Sequence, residues 1–115
     1  MPILIKRVYE PYAKQDGFRI LVDRLWPRGM KKEDAHIDIW LKEVAPSTEL
    51  RKWFHKDMEN WTEFVKKYKA ELRDNEALSE LKQLIKEHQK VTLLYGAKDE
   101  KHNHAQVLAK LVGAA

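Results

Sequence analysis

The amino-acid sequence predicts a small α/β fold in a single domain spanning residues 1–115. It has a short central sheet of at least three strands, mixed in direction and flanked by helices. Three observations predict it. Two early runs, "PILIKRVYE" and "FRILVDRL", are rich in Ile, Val and Leu and bounded by turn residues, which reads as strands over roughly 3–8 and 18–23. Residues 91–95, "VTLLY", form a near-continuous apolar run, the pattern of a strand covered on both faces. Between these strands, apolar residues recur at helical spacing in three successive segments. The 115 residues fit one domain, and a hydrophobic share of 43% suffices for a core at this size.

Taken in order, the first connector, "PYAKQDG", is polar and too short for a helical crossover, so the two early strands are open to pairing as a hairpin. After Gly29 the chain is polar, "MKKEDAHID". The following "IWLKEVAPS" suits either a short helical turn or an extended segment. Ser47 can cap a helix whose Leu50, Trp53 and Phe54 fall at helical spacing. Asp57 or Asn60 can start the next helix, with Trp61, Phe64, Val65, Tyr68 and Leu72 on its apolar face. Asn75 can cap a third, carrying Leu78, Leu81 and Ile85. Gly96 and Ala97 end the last strand. Asp99 stands where it can cap a final helix with Ala105, Leu108, Leu111 and Val112 inward.

Composition excludes several classes. With no cysteine there is no disulfide framework, thiolate zinc site or cysteine nucleophile, which suits a reducing, cytoplasmic setting. The start "MPILIKRVYE" reaches Lys6 and Arg7 too early for a signal peptide, and no stretch approaches the ~18 apolar residues of a membrane span. Net charge is +4, unevenly spread: residues 1–32 hold eight basic and three acidic side chains, leaving −1 for the remainder. Such a bias favours anionic ligands.

Two junctions concentrate polar side chains. At "LLYGAKDEKHNH" a buried strand gives way to a helix start, and such edges of α/β sheets usually bind ligands. Lys98, His102, Asn103 and His104 stand there. The spacing matches neither a phosphate-binding P-loop nor a dinucleotide fingerprint. His102 and His104 are two apart and diverge on a helix, so no metal site is expected. At "DRLWPRG", Trp26, Pro27 and Gly29 suit a turn packed on the core. Arg24 and Arg28 suit a clamp for phosphate or carboxylate. If their strand runs parallel to residues 91–95, both strand ends open on one edge and the arginines face Lys98 and Asn103. Arg51 and His55, one turn apart, either line the same cleft or form a solvated helix face.

These motifs, "VDRLWPRG", "APSTELRKWFHKD", "WTEFVKKYKAEL" and "VTLLYGAKDEKHNHAQVL", together resemble the YeaO-like family, from about Ile5 to Leu111. The resemblance implies a compact α/β domain of bacteria or archaea and supplies no activity. Asp23, Arg24, Trp26, Pro27, Arg28, Gly29, Lys98, Asp99, Asn103 and His104 match its pattern. Other branches of the wider group carry a cysteine followed by histidine and arginine at the last strand–helix junction. Here the neighbourhood reads Asn103, His104, Ala105, so no thiol chemistry carries over.

The leading reading is a cationic polar pocket for a small phosphate- or carboxylate-containing ligand. Arg24, Arg28, Lys98 and Asn103 would bind it, and Asp23 or Asp99, with His104, would move any proton. The alternatives are a nucleic-acid-binding module using Lys6, Arg7, Arg19, Lys31 and Lys32, and a protein-interaction domain without ligand. No cofactor is specified.

Overall fold

The computed structural model describes residues 3–56 and 59–113; Asp57, one of the two expected helix starts, lies outside them. Four strands form one sheet: β1 (Ile3–Arg7), β2 (Phe18–Leu21), β3 (Ile39–Trp40) and β4 (Val91–Tyr95). Their order is β1-β4-β2-β3. Five helices accompany them: α1 (Lys32–Ala35), α2 (Thr48–Lys56), α3 (Trp61–Leu72), α4 (Glu76–Glu87) and α5 (His104–Gly113).

Every strand pair is parallel, which corrects the expected mixed sheet and its hairpin. The reason lies in β4. All five of its residues are buried, and it gains a full ladder on each edge by sitting between the two early strands. Ile3 faces Val91 on one side and Phe18 faces Val91 on the other, so all three strands start and end together. The connector after β1 therefore runs back under the sheet instead of folding into a hairpin turn. It re-enters at Gly17, which has φ +69° and packs so closely on Lys90 that an added Cβ would lie 2.4 Å from the Lys90 carbonyl oxygen. That approach lets the Phe18 N–H donate to the same carbonyl at 2.9 Å, which sets the register of β2 against β4.

Helices α2–α5 cover one face. Ile20, Val22, Val91, Leu93 and Tyr95 pack there against Phe54, Phe64, Tyr68, Leu81 and Leu108. The expected caps of two helices are present: Ser47 Oγ accepts from the Leu50 N–H at 3.1 Å, and Asn75 Oδ1 from the Ala77 N–H at 2.8 Å. The opposite face holds Val8, Leu21 and Leu94, covered by Trp26, Met30 and Ile37 from the loops. Beside them lies a buried charged cluster. Asp16 is 2% and Arg19 1% exposed, and their side chains pair directly. Lys6 Nζ reaches the same carboxylate at 3.0 Å, the Ala13 N–H donates to it at 3.1 Å, and Thr92 Oγ1 donates to the Asp16 carbonyl at 2.7 Å.

Burial acts to raise the Asp16 pKa, but the hydrogen bonds from Lys6, Ala13 and Arg19 and the Lys6 charge outweigh it. The carboxyl is held below its ordinary 3.8. A depressed value contributes stability that is present above 3.8 and lost as pH falls through the folded value. Asp16→Asn leaves Arg19 buried without its anion and is expected to cost about 3–5 kcal/mol at neutral pH in urea denaturation. The wild-type advantage over the variant should shrink on acidification below about pH 4, the ordinary carboxyl range. A variant within about 0.5 kcal/mol of wild type, the scatter of a neutral surface change, removes Asp16 from this role.

Candidate functional site

Parallel strands present all their carboxyl ends on one edge, the usual ligand-binding edge of an open α/β sheet. Here β2 runs into Asp23 and β4 into Gly96. Above this edge lies a cavity of about 480 Å³. Its apolar wall is Leu25, Ala45, Pro46, Phe54, Phe64 and Ala97. Its polar wall includes Asp23, Arg24, Arg51, His55, Lys98, Asp99, His102, Asn103 and His104.

Asp23 ties the edge together. Its Oδ2 accepts the Gly96 N–H at 2.8 Å, and its carbonyl accepts the Trp40 indole N–H at 2.7 Å. His104 opens α5, with Nε2 2.9 Å from the Val22 carbonyl oxygen and 3.2 Å from Asp23 Oδ1. A carbonyl can only accept, so Nε2 carries a proton, and any further proton goes to Nδ1. Asp23 Oδ1 is buried and makes no hydrogen bond of good geometry, leaving the His104 approach as its nearest polar contact.

Asp99 stands apart from this pair. Its Oδ1 accepts the Lys101 and His102 N–H groups at 2.9 and 3.0 Å, and His102 Nδ1 lies 3.1 Å from Oδ2. Those backbone hydrogen bonds, with His102, hold its carboxyl below the ordinary value. Asp99 therefore closes the turn before α5, and the helix cap expected of it is supplied by Asn103. Asn103 Oδ1 accepts the Gln106 N–H at 3.1 Å while Nδ2 donates to the Asp99 carbonyl at 2.9 Å. Asn103 thus satisfies one of the first-turn N–H groups of α5 with the chain's own amide.

The cations divide into two kinds. Arg24 braces the turn that forms one wall, with Nε donating to the Pro46 carbonyl at 3.2 Å and Nη2 to the Ala45 carbonyl at 3.1 Å. Lys98 and Arg51 line the cavity, and neither side chain has an ion pair or hydrogen bond among the described residues. Arg28 is exposed and is not brought to the cavity; its carbonyl accepts the Tyr9 hydroxyl at 3.0 Å. Arg51 and His55, left open as cleft or solvated face, both line the cavity. Phe54 and Phe64, with ring centroids 4.5 Å apart, lie on the apolar helix faces expected of them and also line the cavity, since a cavity wall has the same helical periodicity as a core. Below them the Tyr68 hydroxyl donates to the Val44 carbonyl at 2.5 Å. Burial raises its pKa well above the ordinary value, with the Glu71 and Asp23 charges adding to the effect, so it stays protonated.

Among the described residues, no group of three His, Asp or Glu side chains is placed to hold a metal ion. No helix among them is long and apolar enough to cross a membrane. Three of the five cations expected to touch nucleic acid are engaged internally. Lys6 pairs with Asp16, Arg19 is buried, and Arg7 donates to the Ala97 and Gly96 carbonyls at 2.8 and 3.2 Å.

Fold and cavity together define a layered, all-parallel α/β protein with a pocket at the carboxyl edge of its sheet. The chain belongs to the family described as the inactive DUF488-N3 subclade, whose model matches residues 2–115. It is 51% identical over 109 residues to the uncharacterized protein YeaO of Escherichia coli (strain K12), covering 95% of each chain. It is 44% identical over 110 residues to the uncharacterized protein Rv3073c of Mycobacterium tuberculosis, covering 96% of this chain and 92% of the relative. No solved structure matches it significantly.

The contacts separate the two aspartates. Asp23→Ala removes an acceptor for a partly buried backbone N–H and should cost about 1–3 kcal/mol in urea denaturation. Asp99→Ala touches an exposed turn and should lower the midpoint far less. Equal losses would contradict the assignment of Asp23 as the tie across the sheet edge.

Proposed function

We propose that the cavity at the carboxyl edge binds a small anionic ligand and does not turn it over. The observation that carries this is the pair of cations, Arg51 and Lys98, without an ion pair or side-chain hydrogen bond among the described residues, on a wall whose described carboxylates each hold backbone N–H groups. Asp23 faces Gly96 and His104; Asp99 faces Lys101 and His102. An entering anion therefore meets two positive charges that no lining carboxylate neutralises, and Arg51 offers a guanidinium fork suited to carboxylate or phosphate. Arg24 adds positive potential while holding the wall in place. Asn103 contributes through the turn it holds.

Binding without turnover is supported by what the wall offers a reaction. Its lining includes no serine, threonine, tyrosine or cysteine, so no hydroxyl or thiol stands there as a nucleophile. The acid–base candidates Asp23, Asp99 and His104 are divided, since Asp99 is tied to its own turn and the protonated Nε2 of His104 faces a carbonyl. The word "inactive" in the description of the matching family agrees with this reading.

Thermal denaturation with a panel of small carboxylates and phosphates tests it. A ligand at about 100 times its Kd adds about 2.7 kcal/mol of stability and should raise the midpoint by several degrees for a chain of this size. The rise should vanish in the double variant Arg51→Ala, Lys98→Ala. If no anion moves the midpoint at millimolar concentration, or the double variant responds like wild type, the cavity is not an anion site.

A further inference from the structure

We infer that the anion taken by this cavity carries an aromatic body: an arylalkyl monocarboxylate, in preference to a sugar phosphate or inorganic phosphate. This rests on the anion-binding reading above and names the chemistry of the rest of the ligand.

Size comes first. A cavity of about 480 Å³ is built for a compact organic molecule and is far larger than an inorganic anion requires. Its wall then sets the chemistry. Phe54 and Phe64 lie 4.5 Å apart at a tilt of 34°, and Trp61 stacks behind Phe64 at 5.3 Å. Both phenylalanines are largely buried, 8% and 4% exposed, and the part they present to the cavity is aromatic surface suited to contact with a further ring. Leu25 lines the same cavity with 58% of its surface exposed, so a large apolar side chain stands in water until an apolar ligand covers it.

The polar groups argue against a sugar. Recognition of hydroxyls needs free amides, hydroxyls or carboxylates, since a buried hydroxyl without a partner is costly. The lining contains no serine, threonine, tyrosine or glutamine. Its one amide, Asn103, is bonded at both ends, to the Gln106 N–H and to the Asp99 carbonyl. Of the lining carboxylates among the described residues, Asp99 is bonded within its own turn and Asp23 holds Gly96 through Oδ2, while its buried Oδ1 faces His104. Inorganic phosphate is far smaller than the cavity and leaves its apolar wall uncovered. For the charged end the wall offers Arg51 and Lys98, a fork and a point charge able to hold a carboxylate.

Calorimetric titration of the full chain with phenylacetate, 3-phenylpropionate, phenylacetamide, glucose 6-phosphate and inorganic phosphate tests this. The aryl acids should bind, and the neutral amide should bind roughly tenfold more weakly, as expected when a charge-assisted hydrogen bond is lost. In Arg51→Ala, and separately in Lys98→Ala, the gap between acid and amide should narrow. Tighter binding of glucose 6-phosphate or phosphate than of either aryl acid overturns the aromatic inference and leaves the anion-binding reading standing. Equal binding of acid and amide overturns the anion-binding reading. Failure of all five probes to bind overturns both.

Discussion

Asp16 lies beneath the sheet with its carboxylate shared between the Arg19 guanidinium and the Lys6 ammonium, and this contact lets a loop close one face of the protein. A sheet face is ordinarily covered by helices, whose backbone groups bond internally. A covering loop has no such supply, and its buried peptide groups need partners from elsewhere. The cluster provides several. Lys6 donates to the Pro11 carbonyl, Thr92 to the Asp16 carbonyl, and Asp16 accepts from Ala13. Arg19 reaches on to the Ala35 carbonyl, so the second covering loop hangs on the same group. Asp16 with its partners Lys6 and Arg19 thereby joins β1, β2, β4 and both loops. With that face closed, all four substantial helices are free to pack on the other, and their junction with the sheet edge leaves the cavity.

The basic first third of the chain takes on a different meaning here. Its charge suggested a surface for anions, yet Lys6, Arg7 and Arg19 hold the backbone of the chain's own turns. Arg24 does the same at the 45–46 wall. In each case a cation satisfies carbonyls or a carboxylate that irregular structure would otherwise leave unpaired. The free positive charge at the cavity comes from later in the chain, from Arg51 and Lys98.

Much of this was legible in the residues. Helical periodicity located α2, α3, α4 and α5, and the unbroken apolar run of β4 announced a strand covered on both faces. Ser47 and Asn75 marked their helix starts correctly. Three features were not legible, each for a physical reason. Strand direction depends on which strand fills the slot beside β1, and the short connector was compatible with a hairpin. The two-residue β3 is too short to carry any alternation. The cap of α5 fell to Asn103 because the turn at 99–102 closes on Asp99 first, and two capping-type residues four positions apart look equivalent in sequence. At the site, the pairing of Asp23 with His104 joins residues far apart in the chain and has no local pattern. Arg28 seemed equivalent to Arg24 because both flank Trp26; only the course of the turn separates them.

The strand order also governs how this protein can be made. β1 and β2 are the first strands synthesised, yet neither pairs with the other; β1 pairs with β4, and β2 with the two-residue β3 and with β4, which arrives after most of the chain has been translated. Until then the two early strands expose open edges and apolar faces, the condition under which nascent chains misassemble. Sheet formation must close loops spanning much of the molecule, which favours slow, late and concerted folding. For a nascent chain emerging from the ribosome, helices α2–α4 are the parts able to form early. The buried cluster and the edge of the cavity both bond to the last strand, β4, and the glycine after it, so neither is complete until residues 91–96 are in place.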